Sequence, residues 1–291
     1  MNTKLKEFAA FFEDNAKKLF EHNDNNFESL YSAMQYSYLD GGKRLRPFIL
    51  SEFYKMCGKE DNAYFNFAAA LEMIHVYSLI HDDLPSMDND DFRRGKPSCH
   101  KAFGEDIALL AGDGLLTYAF ETAANTKDIS ADRVVRAISF LANCAGKDGM
   151  IGGQVIDLEG ENKAQAKETV LEMYSKKTGK LLLAAAVIGT ILAGGKDKEI
   201  SAAKVYAENL GIAFQIRDDI LDIVGDINLL GKPIGSDDKN EKATYVSIVG
   251  LEKAEQDVKA YTNAAISALN TFGDKANTLK ELAEYLVYRN H

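Results

Sequence analysis

Two stretches of the sequence crowd carboxylates at the ends of apolar runs. In LEMIHVYSLIHDDLPSMDNDDFRRG a largely apolar segment meets Asp82, Asp83, Asp88, Asp90 and Asp91. In AFQIRDDILDIVGD, Asp218 and Asp222 stand at i and i+4, one above the other on one helix face, with Asp219 beside them. Carboxylates gathered at the ends of core helices repel one another and lose hydration, so they need cations or protons. An acidic run is ordinarily just a solvated face. Here the flanks are Val76, Leu79 and Ile80 in one case and Phe214, Ile216 and Ile220 in the other. Two such clusters in one chain point to hard divalent ions held through oxygen, above all Mg²⁺ bridging to a phosphate. Zinc is disfavoured, because His81 has no companion set of Cys and His.

The spacing constrains the backbone. On a straight helix Asp88 falls about 240° around from Asp82. Pro85 disfavours helix at Leu84, so a short excursion is expected there to return Asp88 to Asp82.

Basic groups suited to a diphosphate flank these clusters. Gly41-Gly42-Lys43-Arg44-Leu45-Arg46-Pro47 follows a helical pattern, and paired glycines with a downstream proline mark a junction between helices. Lys43 and Arg46 are displayed there, and an arginine grips two oxygens at once. Arg93 and Arg94 lie just past the first cluster, Lys177, Thr178 and Lys180 fall in YSKKTGKLL, and Lys232 in LGKP. His75, on the apolar run before Asp82, reads equally well as a core residue or a ligand contact.

The elements that must carry these groups are helical. Leu5, Phe8, Phe12 and Leu19 space a first amphipathic helix, and Phe27, Leu30, Met34 and Tyr38 a second. Further helices are predicted near 62–81, 106–125, 131–144, 178–192 and 200–224. Alternating strand patterns are missing, and all four prolines sit near boundaries. The expectation is an all-α, single-domain bundle of roughly ten or more helices spanning residues 1–291. The stretch 225–245 is the one long loop-like segment, and loops of that length are often functional.

Composition narrows the setting. The 291 residues are 46% hydrophobic, ample for a core, and 34 Lys and Arg against 44 Asp and Glu leave a net charge of −10. That balance argues against nucleic-acid binding, which needs a basic stripe. Cys57, Cys99 and Cys144 have no CxxC spacing, so no disulfide framework or zinc cage is indicated. The start carries no apolar stretch of signal-peptide length, and the longest apolar runs are broken by Gly or charge. A cytoplasmic protein without stable membrane insertion is expected.

Taken together, GGKRLRP, DDLPSMDNDDFRRG, GGQVIDL, KTG, FQIRDDILD and LGKPIGSD resemble, in order, the short-chain trans-prenyltransferase (polyprenyl diphosphate synthase) family, and within it the bacterial farnesyl diphosphate synthases. The resemblance implies a helical isoprenoid-synthase fold around a central apolar cavity, acting as a homodimer on isopentenyl and allylic diphosphates. It implies three Mg²⁺ ions, with Asp82 and Asp88 (Asp83 in support) and Asp218 and Asp222 as ligands. Lys43, Arg46, His75 and Arg94 match its isopentenyl diphosphate pocket; Arg93, Lys177, Thr178, Gln215 and Lys232 match its allylic pocket. Gln154 and Asp157 match an element lining the cavity without an assigned role, and Lys180 and Arg44 are not placed.

Product length follows a helical argument. On a helix ending at Asp82, Ser78 lies one turn deeper and Tyr77 about 7.5 Å deeper. A chain growing from a diphosphate at Asp82 would meet Tyr77 as a floor at C15, while small Ser78 admits a second addition beyond C10. The alternatives are a geranyl or geranylgeranyl diphosphate synthase; outside that class, a terpene cyclase or a non-catalytic helical subunit. Nine aspartates in the two clusters, with Asp226 included, nearly match the net charge of −10. The acidity sits where Mg²⁺ would recruit a diphosphate.

Overall fold

The computed structural model describes residues 1–21, 25–161, 163–224 and 244–288. The chain gathers into two compact units. One comprises residues 2–51 and 61–138, the other residues 52–60 and 139–291 with Met1.

The first unit holds α1 (Asn2–Ala16), α2 (Glu28–Tyr38), the early turns of α3 (Leu45–Met56), α4 (Phe65–Asp82), α5 (Cys99–Phe103), α6 (Glu105–Ala124) and the start of α7 (Ala131–Ala145). Helix α4 is its axis. Phe67, Leu71, Ile74, Val76, Tyr77 and Ile80 are all buried, and Ala68, Ala69 and Ala70 let neighbours approach closely. A helix apolar on every side belongs in a core, and α6 and α2 pack against it.

Among the described residues this unit has one ladder, which the sequence does not signal. Strands β1 (Phe92–Arg93) and β2 (Lys96–Pro97) pair antiparallel, with Phe92 opposite Pro97 and Arg93 opposite Lys96. Arg94 and Gly95 turn the hairpin with φ of +53° and +81°. That is the double left-handed geometry of the tightest hairpin turn. Four strand residues carry no alternation to detect.

The second unit holds α8 (Met150–Gly160), α9 (Lys167–Tyr174), a π-turn (Ser175–Gly179), α10 (Lys180–Ala193), α11 (Asp197–Val224), α12 (Tyr245–Val249), α13 (Leu251–Ala268) and α14 (Asn277–Val287). Every residue from Leu181 to Ala193 is buried, so α10 is the core helix here, with α11 packed on it and α13 on α11. Truncating one of its leucines to alanine would cost about 2–5 kcal/mol. Helix α10 stops at Gly194, whose left-handed φ of +80° lets its N–H reach back to the carbonyls of Ile191 and Thr190. The predicted helices near 62–81, 106–125, 131–144 and 200–224 correspond to α4, α6, α7 and α11. The all-α class holds. Among the described residues, no helix is long and apolar enough to cross a membrane, and all three cysteines are free thiols.

Candidate active site

Helix α4 delivers the first carboxylates. It ends at Asp82, Asp83 follows as its cap, and Met87 N–H donates to the Leu84 carbonyl at 2.8 Å across Pro85. Asp88 N–H then donates to the Asp82 carbonyl at 2.8 Å. The excursion expected at the proline is present, and it sets Asp88 against the helix end. Asp82 is half-buried and Asp88 exposed.

Asp83 is placed differently. It is only 2% exposed. Arg93 Nε donates to its Oδ1 at 3.0 Å and to its Oδ2 at 3.3 Å, and Arg93 Nη2 closes on Oδ1 as well. Both oxygens of Asp83 are engaged by a guanidinium, and Arg93 also reaches Asp90 at 3.4 Å. A carboxylate buried at a helix C-terminus meets the negative end of the dipole, so it requires a cation from the chain itself.

The GGKRLRP junction is built around Arg44, which the sequence left unplaced. Arg44 is 2% exposed; Nη1 donates to Glu72 at 3.0 Å, and Nη2 to Glu13 at 3.2 Å and to the Tyr38 carbonyl at 2.9 Å. With the arginine turned inward, Lys43 faces solvent and Arg46 is half-buried. Arg46 Nε is enclosed and has no partner among the described residues. Arg94 Nη1 donates to the Gly41 carbonyl at 2.7 Å. At Gly42 (φ +110°) a Cβ would lie 3.0 Å from that same Nη1. The second glycine is therefore needed for its conformation, and a side chain there would press on the Arg94 guanidinium.

Loss of hydration, then the guanidiniums of Arg46, Arg94, Arg44 and Arg93, hold the His75 imidazole well below its ordinary 6.5. His75 is a neutral ring among arginines. His81 meets the Leu109 carbonyl through Nε2 at 3.0 Å. Tyr77 is 5% exposed, its hydroxyl enclosed without a partner among the described residues. Burial and then Asp82 push that phenol up to about 12. Ser78 Oγ donates to the His75 carbonyl at 2.8 Å.

The second unit gathers its own set. A cavity of about 200 Å³ is lined by Asp157, Tyr174, Lys177, Thr178, Gln215 and Asp219, among others. Three residues expected at an allylic diphosphate, Lys177, Thr178 and Gln215, thus share one cavity. Lys177 and Thr178 ride on the π-turn, a local widening of the helix that recurs at functional sites. Lys177 Nζ donates to Asp157 Oδ2 at 2.6 Å. Gly153, one turn before Asp157 on α8, lies so close that a Cβ would sit 2.3 Å from the Lys177 nitrogen. The i, i+4 pair Gly153 and Asp157 was the available sign of this contact. Asp218 is half-buried and Asp222 buried, on successive turns of α11. Lys232 and most of the 225–245 stretch lie outside the described residues.

The description "Polyprenyl synthetase" belongs to the family model that matches residues 27–286. The chain belongs to this family. It is 43% identical over 291 residues to a geranylgeranyl diphosphate synthase of Cyanophora paradoxa, covering 99% of this chain and 96% of that one. It is 42% identical over 266 residues to the farnesyl diphosphate synthase of Bacillus subtilis (strain 168), 91% and 90% covered. A solved FPP/GFPP synthase from Zymomonas mobilis superposes with a TM-score of 0.88 at 36% identity over 98% of each chain. This polyprenyl synthetase is a trans-prenyl diphosphate synthase, and so a transferase.

Polyprenyl synthetases are generally Mg²⁺-dependent, and the donor set suits that ion. Among the described residues, no three Asp, Glu, His or Cys side chains converge to hold a metal unaided. Mg²⁺ is typically bound by one or two carboxylates, with substrate phosphates and water completing its shell. Asp82, half-buried, and Asp88, exposed, are the residues that could hold such an ion at the end of α4, and Asp218, half-buried, and Asp222, 4% exposed, those that could do so on α11.

Proposed function

We propose that this polyprenyl synthetase condenses isopentenyl diphosphate with dimethylallyl and then geranyl diphosphate, head to tail, releasing diphosphate and ending at (2E,6E)-farnesyl diphosphate. The reading assigns three Mg²⁺ ions, with Asp82 and Asp88 as ligands in one set and Asp218 and Asp222 in the other. When bound, Mg²⁺ supplies charge neutralisation to the leaving diphosphate.

The chain's own groups do the rest. By resemblance Lys177 and Arg93 are both assigned to the allylic diphosphate; within its own unit Arg93 is held in place by Asp83. Thr178 and Gln215 offer oxygen dipoles to positive charge developing on the allyl carbon. Lys43, Arg46 and Arg94 hold isopentenyl diphosphate, with neutral His75 as a hydrogen-bonding partner among them. Arg46 Nε, enclosed and without a partner among the described residues, supports this role, because a buried guanidinium N–H calls for an acceptor. The proton lost after carbon–carbon bond formation is assigned to the departing diphosphate, so no His–Asp base pair is required. A cytoplasmic homodimer acting as a single catalytic domain completes the reading.

The C15 assignment rests on Tyr77. It is buried on α4, five residues before Asp82, and the reading takes it as the floor for a chain growing from a diphosphate at that helix end. Ser78, half-buried on the next position, is the small residue that the reading takes to admit a second addition beyond C10. Products of Tyr77→Ala and Ser78→Phe, analysed by mass spectrometry, test this. The expected shifts are to products longer than C15 and towards C10, respectively. An unchanged farnesyl product from Tyr77→Ala would remove the basis for the floor. Geranylgeranyl diphosphate synthase is the second reading, and a relative carrying that name favours keeping it.

A further inference from the structure

Three elements of the second unit meet at one carboxylate. Asp219, on α11 between Asp218 and Asp222, is 6% exposed. The Tyr174 hydroxyl, at the end of α9, donates to its Oδ2 at 2.6 Å. The Tyr245 N–H, at the start of α12, donates to the same oxygen at 2.8 Å and to the Tyr174 hydroxyl at 3.2 Å. Tyr174 and Tyr245 are themselves 4% and 1% exposed.

Each partner connects to something the reaction uses. Tyr174 directly precedes the π-turn that carries Lys177 and Thr178. Tyr245 is the second described residue after 225–243, and its ring is tied down from the other side: its hydroxyl donates to Asp257 at 2.7 Å, and Lys167 Nζ lies 5.2 Å from its ring centre. Asp218 and Asp222 lie one residue before and three after the shared carboxylate. One buried oxygen therefore fixes the register of the metal-facing carboxylates against the allylic lysine and threonine.

We propose that Asp219 is a positioning residue and not a metal ligand. Its carboxylate is turned to Tyr174 and Tyr245, so that α11, the π-turn and the start of α12 keep one arrangement. The resemblance names Asp218 and Asp222 as ligands and leaves Asp219, between them, without a role; the contacts to Tyr174 and Tyr245 supply one. The inference rests on the reading of Asp218 and Asp222 as the Mg²⁺ ligands.

The chemistry provides a discriminating substitution. In Asp219→Asn a carbonyl oxygen can still accept from the Tyr174 hydroxyl and the Tyr245 N–H, while an anionic ligand is lost. Calorimetric titration with Mg²⁺ and inorganic diphosphate, steady-state kinetics, and melting of metal-free protein are compared for Asp219→Asn, Asp219→Ala, Tyr174→Phe and Asp222→Asn. The expected pattern is diphosphate affinity within about threefold of the parent for both Asp219 variants and a loss of tenfold or more for Asp222→Asn. In Asp219→Ala, kcat falls at least fivefold; the asparagine restores it. Tyr174→Phe, which leaves the carboxylate in place, lowers kcat and the metal-free melting temperature without changing the affinity, and keeps the test alive if Asp219→Ala does not fold. An affinity loss in Asp219→Asn equal to that of Asp222→Asn would make Asp219 a ligand and overturn the proposal, as would unchanged kcat and melting in both Asp219→Ala and Tyr174→Phe. If Asp222→Asn binds as the parent does, the reading of the metal ligands fails instead, and metal-free melting decides the latch alone.

Discussion

Asp88 donates its backbone N–H to the carbonyl of Asp82 at 2.8 Å, closing a loop of seven residues, 82–88, around Pro85. Because that bond is made by the main chain, it leaves the Asp88 carboxylate uncommitted to the fold. The side chain is exposed, whereas Asp83 between them is sealed against Arg93.

Asp88→Ala should therefore separate activity from stability. Removing an electrostatic group aimed at the transition state costs about 10²–10³ in kcat, while an exposed substitution of this kind shifts stability by only about 0.5 kcal/mol. Steady-state kinetics alongside denaturant unfolding would check both halves. Large destabilisation with proportionate loss of activity would contradict the assignment.

Arg44 should behave in the opposite way. Its guanidinium is fully enclosed and 3.0 Å from Glu72, itself 3% exposed. Arg44→Met leaves that carboxylate buried without its cation, a loss of about 3–5 kcal/mol. Arg44→Met with Glu72→Met should recover much of it. Denaturant midpoints of the single and double variants provide the measurement, and a double variant less stable than Arg44→Met would count against an ion pair here.

The pH dependence has a definite sign. Folded His75 resists protonation, being held well below 6.5 by desolvation and then by the surrounding arginines. In the unfolded chain it takes up a proton near 6.5. As pH falls below that value the unfolded state binds more protons, so this contribution to stability is complete above 6.5 and is lost on acidification. The melting temperature should drop between pH 7 and pH 5.5, and His75→Gln should flatten part of that drop. An identical slope in the variant would show that His75 titrates normally.

Much of this was legible in the residues because the physics was local. Pro85 disfavours a straight helix, so the return of Asp88 follows from the sequence. The 3.6-residue period located α4, α6, α7 and α11, and the Asp218–Asp222 spacing put both on one face. Other features depended on distant partners. Nothing in KRLR distinguishes Arg44 from Lys43 or Arg46; Glu13, Glu72 and the Tyr38 carbonyl select it. The π-turn at 175–179 has no composition of its own and is set by close neighbours: α8 at Gly153, and α11 at Gly211, where a Cβ would meet Gly179 at 3.0 Å. Likewise, in the pairs Asp82–Asp83 and Asp218–Asp219 one member is committed inward, Asp83 to Arg93 and Asp219 to Tyr174 and Tyr245. Spacing alone treats both members alike.

Incubation of the purified protein with isopentenyl and dimethylallyl diphosphates, with Mg²⁺ or with chelator, and mass spectrometry of the products tests the central claim most directly. The expected result is farnesyl diphosphate as the main product, formed only with the metal present. No condensation in Mg²⁺ would contradict the assigned reaction, and a predominant C10 or C20 product would contradict the floor at Tyr77.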